Sequence, residues 1–212
     1  MSLTRVSCVV MCCMSVIASP RFLVDKTSSP FPLHPRDSWR AAPPSHVHPL
    51  STPVPYVVIH HTYLPAACNT TEKCSAAMRS MQNYHNSLEW GDIGYNFCVG
   101  SEGGAYEGRG WDTRGIHARQ ANSYSIGICL IGDWRVELPP SQQLETAKAL
   151  ITAGVQLGKI HPEYKLVGHK QVTATECPGV ALYREISTWD HYTADTPDFT
   201  KYKSPTQIAS PK

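Results

Sequence analysis

The sequence predicts a single α/β domain with a mixed central β-sheet covered by helices. Short apolar runs alternate with longer amphipathic stretches between residues 56 and 187, the order expected when strands and helices interleave. One run, Ser125–Ile131, is apolar throughout, as a strand buried on both faces must be. A chain of 212 residues is long enough for one domain with a full core and spare tails.

The N-terminus reads as a secretory signal over residues 1–18: Arg5 supplies a positive start, Val6 to Ala18 is apolar, and Val16 and Ala18 are small enough for cleavage after Ala18. That stretch is short for a membrane span, and no other run approaches ~20 apolar residues, so no stable membrane association is expected. Residues 19–33 are Ser/Pro-rich with no period and read as a flexible arm. Trp39 and the prolines through Pro55 suggest an extended segment wrapped on the domain.

Tyr56 to His60 is a β-branched strand. Glu72 to Asn86 has helical periodicity, with Ala76, Met78, Met81 and Tyr84 as its apolar side. Tyr95–Gly100 and Ala105–Gly108 flank Glu102-Gly103-Gly104, a hairpin signal. Pro139-Pro140-Ser141 opens a second helix with Ser141 as the expected N-cap and Leu144, Ala147, Ile151 and Val155 as its stripe. Lys165–Val167 is a short strand and Val180–Ser187 a last helix. Residues 194–212, rich in Pro, Thr, Ser and Lys, read as a disordered tail.

The net charge of +2 carries no clustered basic face, so nucleic acid is not an expected partner. Removal of the signal takes Cys8, Cys12 and Cys13 and leaves Cys68, Cys74, Cys98, Cys129 and Cys177. An odd count in an oxidising compartment leaves at least one cysteine unpaired. Cys68 and Cys74 flank a polar turn, where a local disulfide fits. Cys98 and Cys129 either bridge neighbouring strands or are two buried thiols, because sequence does not give their separation. Asn69-Thr70-Thr71 is an acceptor triplet for N-glycosylation.

The chemistry concentrates in three residues. His60 ends one strand, and His169 follows Leu166-Val167-Gly168 in the same way; ligands in open α/β sheets gather beyond strand ends. Cys177 precedes Pro178-Gly179 and the last helix, a position that favours a thiolate. Two imidazoles and one thiolate suit Zn2+, and three protein ligands leave the fourth position open, as in catalytic rather than structural zinc. A zinc site in a surface groove, and hence a hydrolase, is the expectation.

Several segments, in order, carry a family resemblance: Tyr56-Val57-Val58-Ile59-His60-His61-Thr62, Asp92-Ile93-Gly94-Tyr95-Asn96-Phe97, Gly108-Arg109-Gly110-Trp111, Ile131-Gly132-Asp133, and Gly168-His169 with Thr175-Glu176-Cys177-Pro178-Gly179. Together they resemble an animal peptidoglycan recognition protein, a family similar to bacteriophage-type zinc N-acetylmuramoyl-L-alanine amidases. The resemblance covers residues 34–193, and Tyr63-Leu64-Pro65-Ala66-Ala67-Cys68 and Asp133-Trp134-Arg135-Val136-Glu137-Leu138-Pro139-Pro140 look most like the secreted, catalytic LB type of insects. It implies His60, His169 and Cys177 as zinc ligands, Tyr95 as a catalytic donor to the tetrahedral oxyanion, and Thr175 beside the scissile bond. It further implies His61, Thr62, His85, Trp90, His117 and Asn122 as lining the muropeptide groove, and a Cys68–Cys74 disulfide. No general base emerges, since Glu176 can equally face solvent.

In this family Gly-Trp accompanies diaminopimelate stems and Asn-Phe lysine stems. Here the pair is Glu89-Trp90, whose tryptophan leans toward diaminopimelate and whose carboxylate opposes an acidic stem. The resemblance implies a secreted amidase acting on peptidoglycan or muropeptides and dampening innate immune signalling; the sequence does not fix the oligomeric state, and a monomer is the expectation. The rivals are a receptor that binds without cutting, and a bactericidal amidase. Non-catalytic relatives usually replace the zinc cysteine; this chain keeps it.

Overall fold

The computed structural model describes residues 30–202; the expected signal peptide, residues 19–29 and residues 203–212 lie outside them. In chain order the elements are β1 (Leu33–His34), β2 (Val54–His61), α1 (Thr71–Ser87), β3 (Phe97–Val99), β4 (Ala105–Glu107), β5 (Ser125–Leu130), α2 (Ser141–Gln156), β6 (Ile160–Gly168) and α3 (Val180–Ile186). The six strands form one sheet in the order β1-β4-β3-β5-β2-β6. Only β3 and β4 pair antiparallel, as the hairpin signal requires; every other pairing is parallel. No described helix is long and apolar enough to cross a membrane.

The period-two rule divides β2 between two cores. Val57 and Ile59 join Ile126, Ile128 and Leu130 of β5 and meet Ala147, Leu150 and Ile151 of α2 and Leu182 and Ile186 of α3. Tyr56 and Val58 face the other way, toward Val167, Ala118 and Ala121. On that same side α1 packs Cys74, Ala77, Met78 and Met81 against Cys98, Cys129 and Ile131. The sheet is thus the middle of three layers, and β5 and β2 at its centre are buried on both faces.

Several expectations are corrected. The buried stripe of α1 runs through Cys74, Ala77, Met78, Met81 and His85, while Tyr84 and Ala76 face solvent. Pro140, not Ser141, holds the N-cap position of α2, and no side chain caps that helix. β6 starts five residues earlier than its apolar core suggests, with a register irregularity opposite Val54/Tyr56 that accommodates Pro162 on an edge strand. The expected flexible arm is already packed by residue 31, where Phe31 is buried, and Leu33 and His34 pair with β4. The expected disordered tail is ordered at least to residue 202: buried Phe199 packs edge-on against Tyr56 and stacks on Tyr124. Aromatic burial outweighs the polar composition of that segment.

Both cysteine pairs are disulfides. Cys68–Cys74 closes the turn into α1, where Thr70 accepts a bond from the Lys73 amide as N-cap. Cys98 and Cys129 sit directly opposite each other on β3 and β5, with Cα atoms 4.5 Å apart, and they bridge the strands. Cys177 is the one free cysteine among the described residues.

Candidate metal centre and groove

The ladder between β2 and β6 sets Ile59 opposite Gly168. The next residues, His60 and His169, therefore emerge side by side, with ring centroids 4.4 Å apart. Cys177 arrives from the loop before α3, its Sγ 3.8 Å from His60 Nδ1. The three donor atoms lie within 4.8 Å of one another, and His60 is buried while the other two are half-buried. One soft and two borderline donors at that spacing, reached from one open side, fit a zinc ion.

Burial dominates the electrostatics. It depresses His60 well below the usual imidazole range, with the neighbouring imidazoles adding to the effect, and it takes His169 down to about 4. Both rings are therefore neutral at pH 7, as metal ligands must be. The Cys177 thiol is pushed up to about 12 by burial, against the pull of the His61 amide, which donates to Sγ at 3.3 Å. The expected thiolate thus does not arise from position alone. Burial outweighs a helix of only seven residues, and a bound cation is what would deprotonate the sulfur.

Two adjoining cavities open beside the cluster. One, of about 520 Å³, is lined by His61, Thr62, Tyr63, Tyr95, Arg135, His169, Thr175, Glu176 and Cys177. The other, of about 600 Å³, shares Thr62, Tyr63 and Tyr95 and continues past Pro65, Met81, Tyr84 and His85. They form one groove with the donor cluster at one end and an aromatic and apolar stretch at the other.

The structure sorts the expected site residues. Tyr95 stands between the two cavities with its ring 5.2 Å from that of His60, and burial followed by the nearby sulfur keeps its hydroxyl protonated. Thr175 lines the metal pocket while its Oγ1 accepts from the Cys177 amide at 3.2 Å. His61 lines the pocket too, its Nδ1 accepting from the Trp134 amide at 3.2 Å. Thr62 Oγ1 ties the following turn to Pro65 and Gly132. His85 lines the second cavity, accepts from the Gly94 amide and stacks on Trp90 at 4.6 Å.

Three others stand behind the groove wall. Trp90 backs His85, and its carbonyl accepts from Arg109 at 2.8 Å. His117 is buried against His60, and Asn122 Oδ1 accepts from the His117 and Ala118 amides. Burial holds His117 neutral, taking it down to about 3.

Sequence reasoning missed Tyr63, Tyr84 and Arg135. Arg135 lies over the Tyr63 ring at 4.5 Å, pairs with Asp133 at 2.8 Å and reaches Glu176 at 3.8 Å, joining three loops across the pocket mouth. The segment Asp133–Pro140 carries part of the family resemblance, but no local pattern gives Arg135 a role in the site, because Tyr63 and Glu176 come from two other segments. Glu176 lines the same cavity with a side chain that is 84% exposed and paired with Arg135.

Residues 50–180 match the family model described as N-acetylmuramoyl-L-alanine amidase. The chain is 52% identical over 160 residues to peptidoglycan-recognition protein LB of Drosophila melanogaster, covering 74% of this chain and 68% of that protein. It is 44% identical over 165 residues to the N-acetylmuramoyl-L-alanine amidase of Mus musculus, covering 76% of this chain but only 31% of the longer mouse protein. Among solved structures, a tyrosine-to-phenylalanine mutant of Drosophila PGRP-LB in complex with tracheal cytotoxin matches with a TM-score of 0.75 at 51% identity, covering 76% of this chain and 96% of that one.

Proposed function

The chain belongs to the N-acetylmuramoyl-L-alanine amidase family, and we propose that it is a secreted, zinc-dependent amidase that hydrolyses the lactyl amide between MurNAc and L-Ala of peptidoglycan. The observation that carries this reading is the convergence of His60, His169 and Cys177 donors within 4.8 Å, two of them lining a groove that Tyr95 also lines. A zinc ion held by those three side chains would supply Lewis-acid chemistry toward the amide carbonyl and lower the pKa of a coordinated water to about 7.

The chain's own residues do the rest. The Tyr95 hydroxyl, protonated across the physiological range, is placed to donate to the carbonyl oxygen as charge develops on it. Thr175 holds the Cys177 amide and presents its side chain to the same pocket. Tyr63, Tyr84 and His85 offer ring faces to the apolar faces of a glycan and the aliphatic parts of a stem peptide.

Diaminopimelate-type stems are the favoured substrate. Trp90 is stacked behind the groove wall, and the Drosophila relative is held in complex with tracheal cytotoxin, a monomeric diaminopimelic acid-type peptidoglycan. Secretion is supported by two disulfides among the described residues, which persist in oxidising compartments. Cutting the amide would destroy an immune elicitor and so dampen signalling.

The test is incubation of the purified protein with diaminopimelate-type and lysine-type peptidoglycan, with and without chelator. Free stem peptides that appear from the first substrate and vanish on chelation support the proposal. Tight binding with intact substrate would instead make the protein a receptor.

A further inference from the structure

We propose that His117 is the positioning residue that sets the tautomer of His60, and so decides which of its ring nitrogens is offered to the metal. The inference rests on the metal-site reading above but concerns a residue outside the donor cluster. It also departs from the groove-lining role that the family resemblance gives His117.

The geometry is specific to individual atoms. His60 Nδ1 faces the cluster, 3.8 Å from Cys177 Sγ, while His60 Nε2 lies 3.0 Å from His117 Nδ1. A neutral imidazole carries one N–H and one lone pair. Two ring nitrogens in hydrogen-bond contact therefore need one donor and one acceptor, and there are two ways to arrange them.

If His117 Nδ1–H donates, His60 accepts at Nε2 and its own proton must sit on Nδ1. The nitrogen facing Cys177 and His169 then has no lone pair, and the cluster is one ligand short. If His60 Nε2–H donates, Nδ1 is free and the ligand set is complete. In that arrangement His117 carries its proton on Nε2. His117 Nε2 is one of only two buried side-chain polar atoms without a partner among the described residues. That atom is unpaired in either arrangement, so the ring of His117 is held through its Nδ1 contact with His60, and the need for a lone pair on His60 Nδ1 selects the second arrangement.

The ring of His117 is held in a slot that leaves little alternative. A Cβ on Gly115 would come within 2.4 Å of it, and a Cβ on Gly127 within 2.5 Å, so both neighbours must lack side chains for the ring to fit. Asn122 Oδ1 pins the backbone by accepting from His117 N at 2.9 Å and Ala118 N at 2.7 Å. The two imidazole planes cross at 86°, which points the edge of one ring at the other. This is the outer partner that a metal-bound histidine needs for its second nitrogen, supplied here by an imidazole instead of a carboxylate or carbonyl.

The experiment uses the full chain and two substitutions. His117→Asn keeps an acceptor oxygen near the place of Nδ1; His117→Leu fills similar space without one. Zinc affinity is measured by competition with a chromogenic chelator, and the protonated nitrogen of His60 is read by long-range 1H–15N NMR of the zinc-free protein. His117→Leu is expected to weaken zinc binding about 10–100-fold, and His117→Asn to stay within about threefold of the parent. The parent and His117→Asn should carry the His60 proton on Nε2, and His117→Leu should lose that preference.

A parent protein with the His60 proton on Nδ1 would overturn the proposal, as would wild-type zinc affinity in His117→Leu. Equal losses in both variants would mean that the ring only fills space. If His117→Leu fails to fold by near-UV circular dichroism, the parent and His117→Asn spectra still decide. The tautomer measurement needs neither zinc nor substrate, so it separates failure of this inference from failure of the amidase reading, which peptidoglycan cleavage tests alone.

Discussion

Tyr95→Phe removes one oxygen atom and isolates one interaction. Tyr95 borders both halves of the groove, and burial rather than a hydrogen bond from a neighbouring residue is what chiefly holds its hydroxyl protonated. Deleting the oxygen therefore leaves no protein partner unpaired and opens no cavity, and folding stability should move by no more than about 0.5 kcal/mol. The reacting carbonyl, in contrast, loses a donor that strengthens only as charge builds on its oxygen. A single such donor is worth about 10²–10³ in kcat, or about 3–4 kcal/mol of transition-state stabilisation. Stem-peptide release from diaminopimelate-type peptidoglycan should show that fall in kcat with little change in KM, while urea unfolding overlays the parent. A KM increase with kcat intact would make Tyr95 a binding residue, and a fall of less than about fivefold in kcat would refute the donor role.

Cys177→Ser should abolish turnover and weaken zinc binding while muropeptide affinity, measured by calorimetry, largely survives, because the aromatic half of the groove does not involve the sulfur; full activity would remove the sulfur from the ligand set. In the zinc-free protein, stability should be complete above about pH 6.5 and fall as the pH drops toward 4: His85 and His169, held down at about 4 by burial, stay neutral in the fold while the unfolded chain takes up protons. Each can contribute on the order of 3 kcal/mol across that window, and a urea midpoint that stays flat from pH 7 to pH 4.5 would contradict it. Replacing Cys98 and Cys129 together by Ala should cost roughly 3–4 kcal/mol in urea unfolding, for a closed loop of 31 residues; a loss under about 1 kcal/mol would mean the unfolded chain gains little freedom. Glu89 holds a left-handed backbone with φ of 62° in the turn after α1, so Glu89→Gly should stabilise the fold by about 1 kcal/mol and remove a carboxylate beside Trp90; a lower thermal midpoint would show that the turn is not strained.

Elements whose burial follows a simple period were legible. Residues Ser125–Leu130 form the expected doubly buried strand, Thr71–Ser87 the expected helix, and the strands on either side of Glu102-Gly103-Gly104 the expected hairpin. Elements set by distant partners were not. The two-residue strand Leu33–His34 exists because Ala105 and Tyr106 offer a free edge, and no local pattern announces it. Gln143 interrupts the apolar reading of α2, yet it is buried because its amide donates to Val99 and Ile131 and its oxygen accepts from Ser101. Composition averaged over the C-terminal tail concealed Phe199 and Tyr202, whose rings pack against Tyr124. The pairing of Cys98 with Cys129 was open until the register placed them opposite each other.

The same distinction runs through the candidate metal centre. His60 and His169 are neighbours because two parallel strands pair Ile59 with Gly168, so their meeting follows from the backbone ladder. A slip of one residue in that register would turn one histidine to the opposite face, and the irregularity around residues 160–165 is what lets an exposed, proline-bearing strand start end in register with β2. Cys177 has no such ladder. It is held by the Thr175 turn, by a Gly179 so close to the Trp134 carbonyl that a Cβ would fall 2.3 Å from it, and by bonds from Leu182 and Ala181 to the Trp134 and Arg135 carbonyls. Two of the candidate ligands are thus set by the sheet, His60 within β2 and His169 directly after β6, and the third sits in a loop braced by the segment Asp133–Arg135. The histidines could be foreseen from strand ends, whereas the position of the sulfur depends on a brace that only tertiary structure reveals. It follows that changes in that brace should act on the site through Cys177 and leave the histidine pair in place.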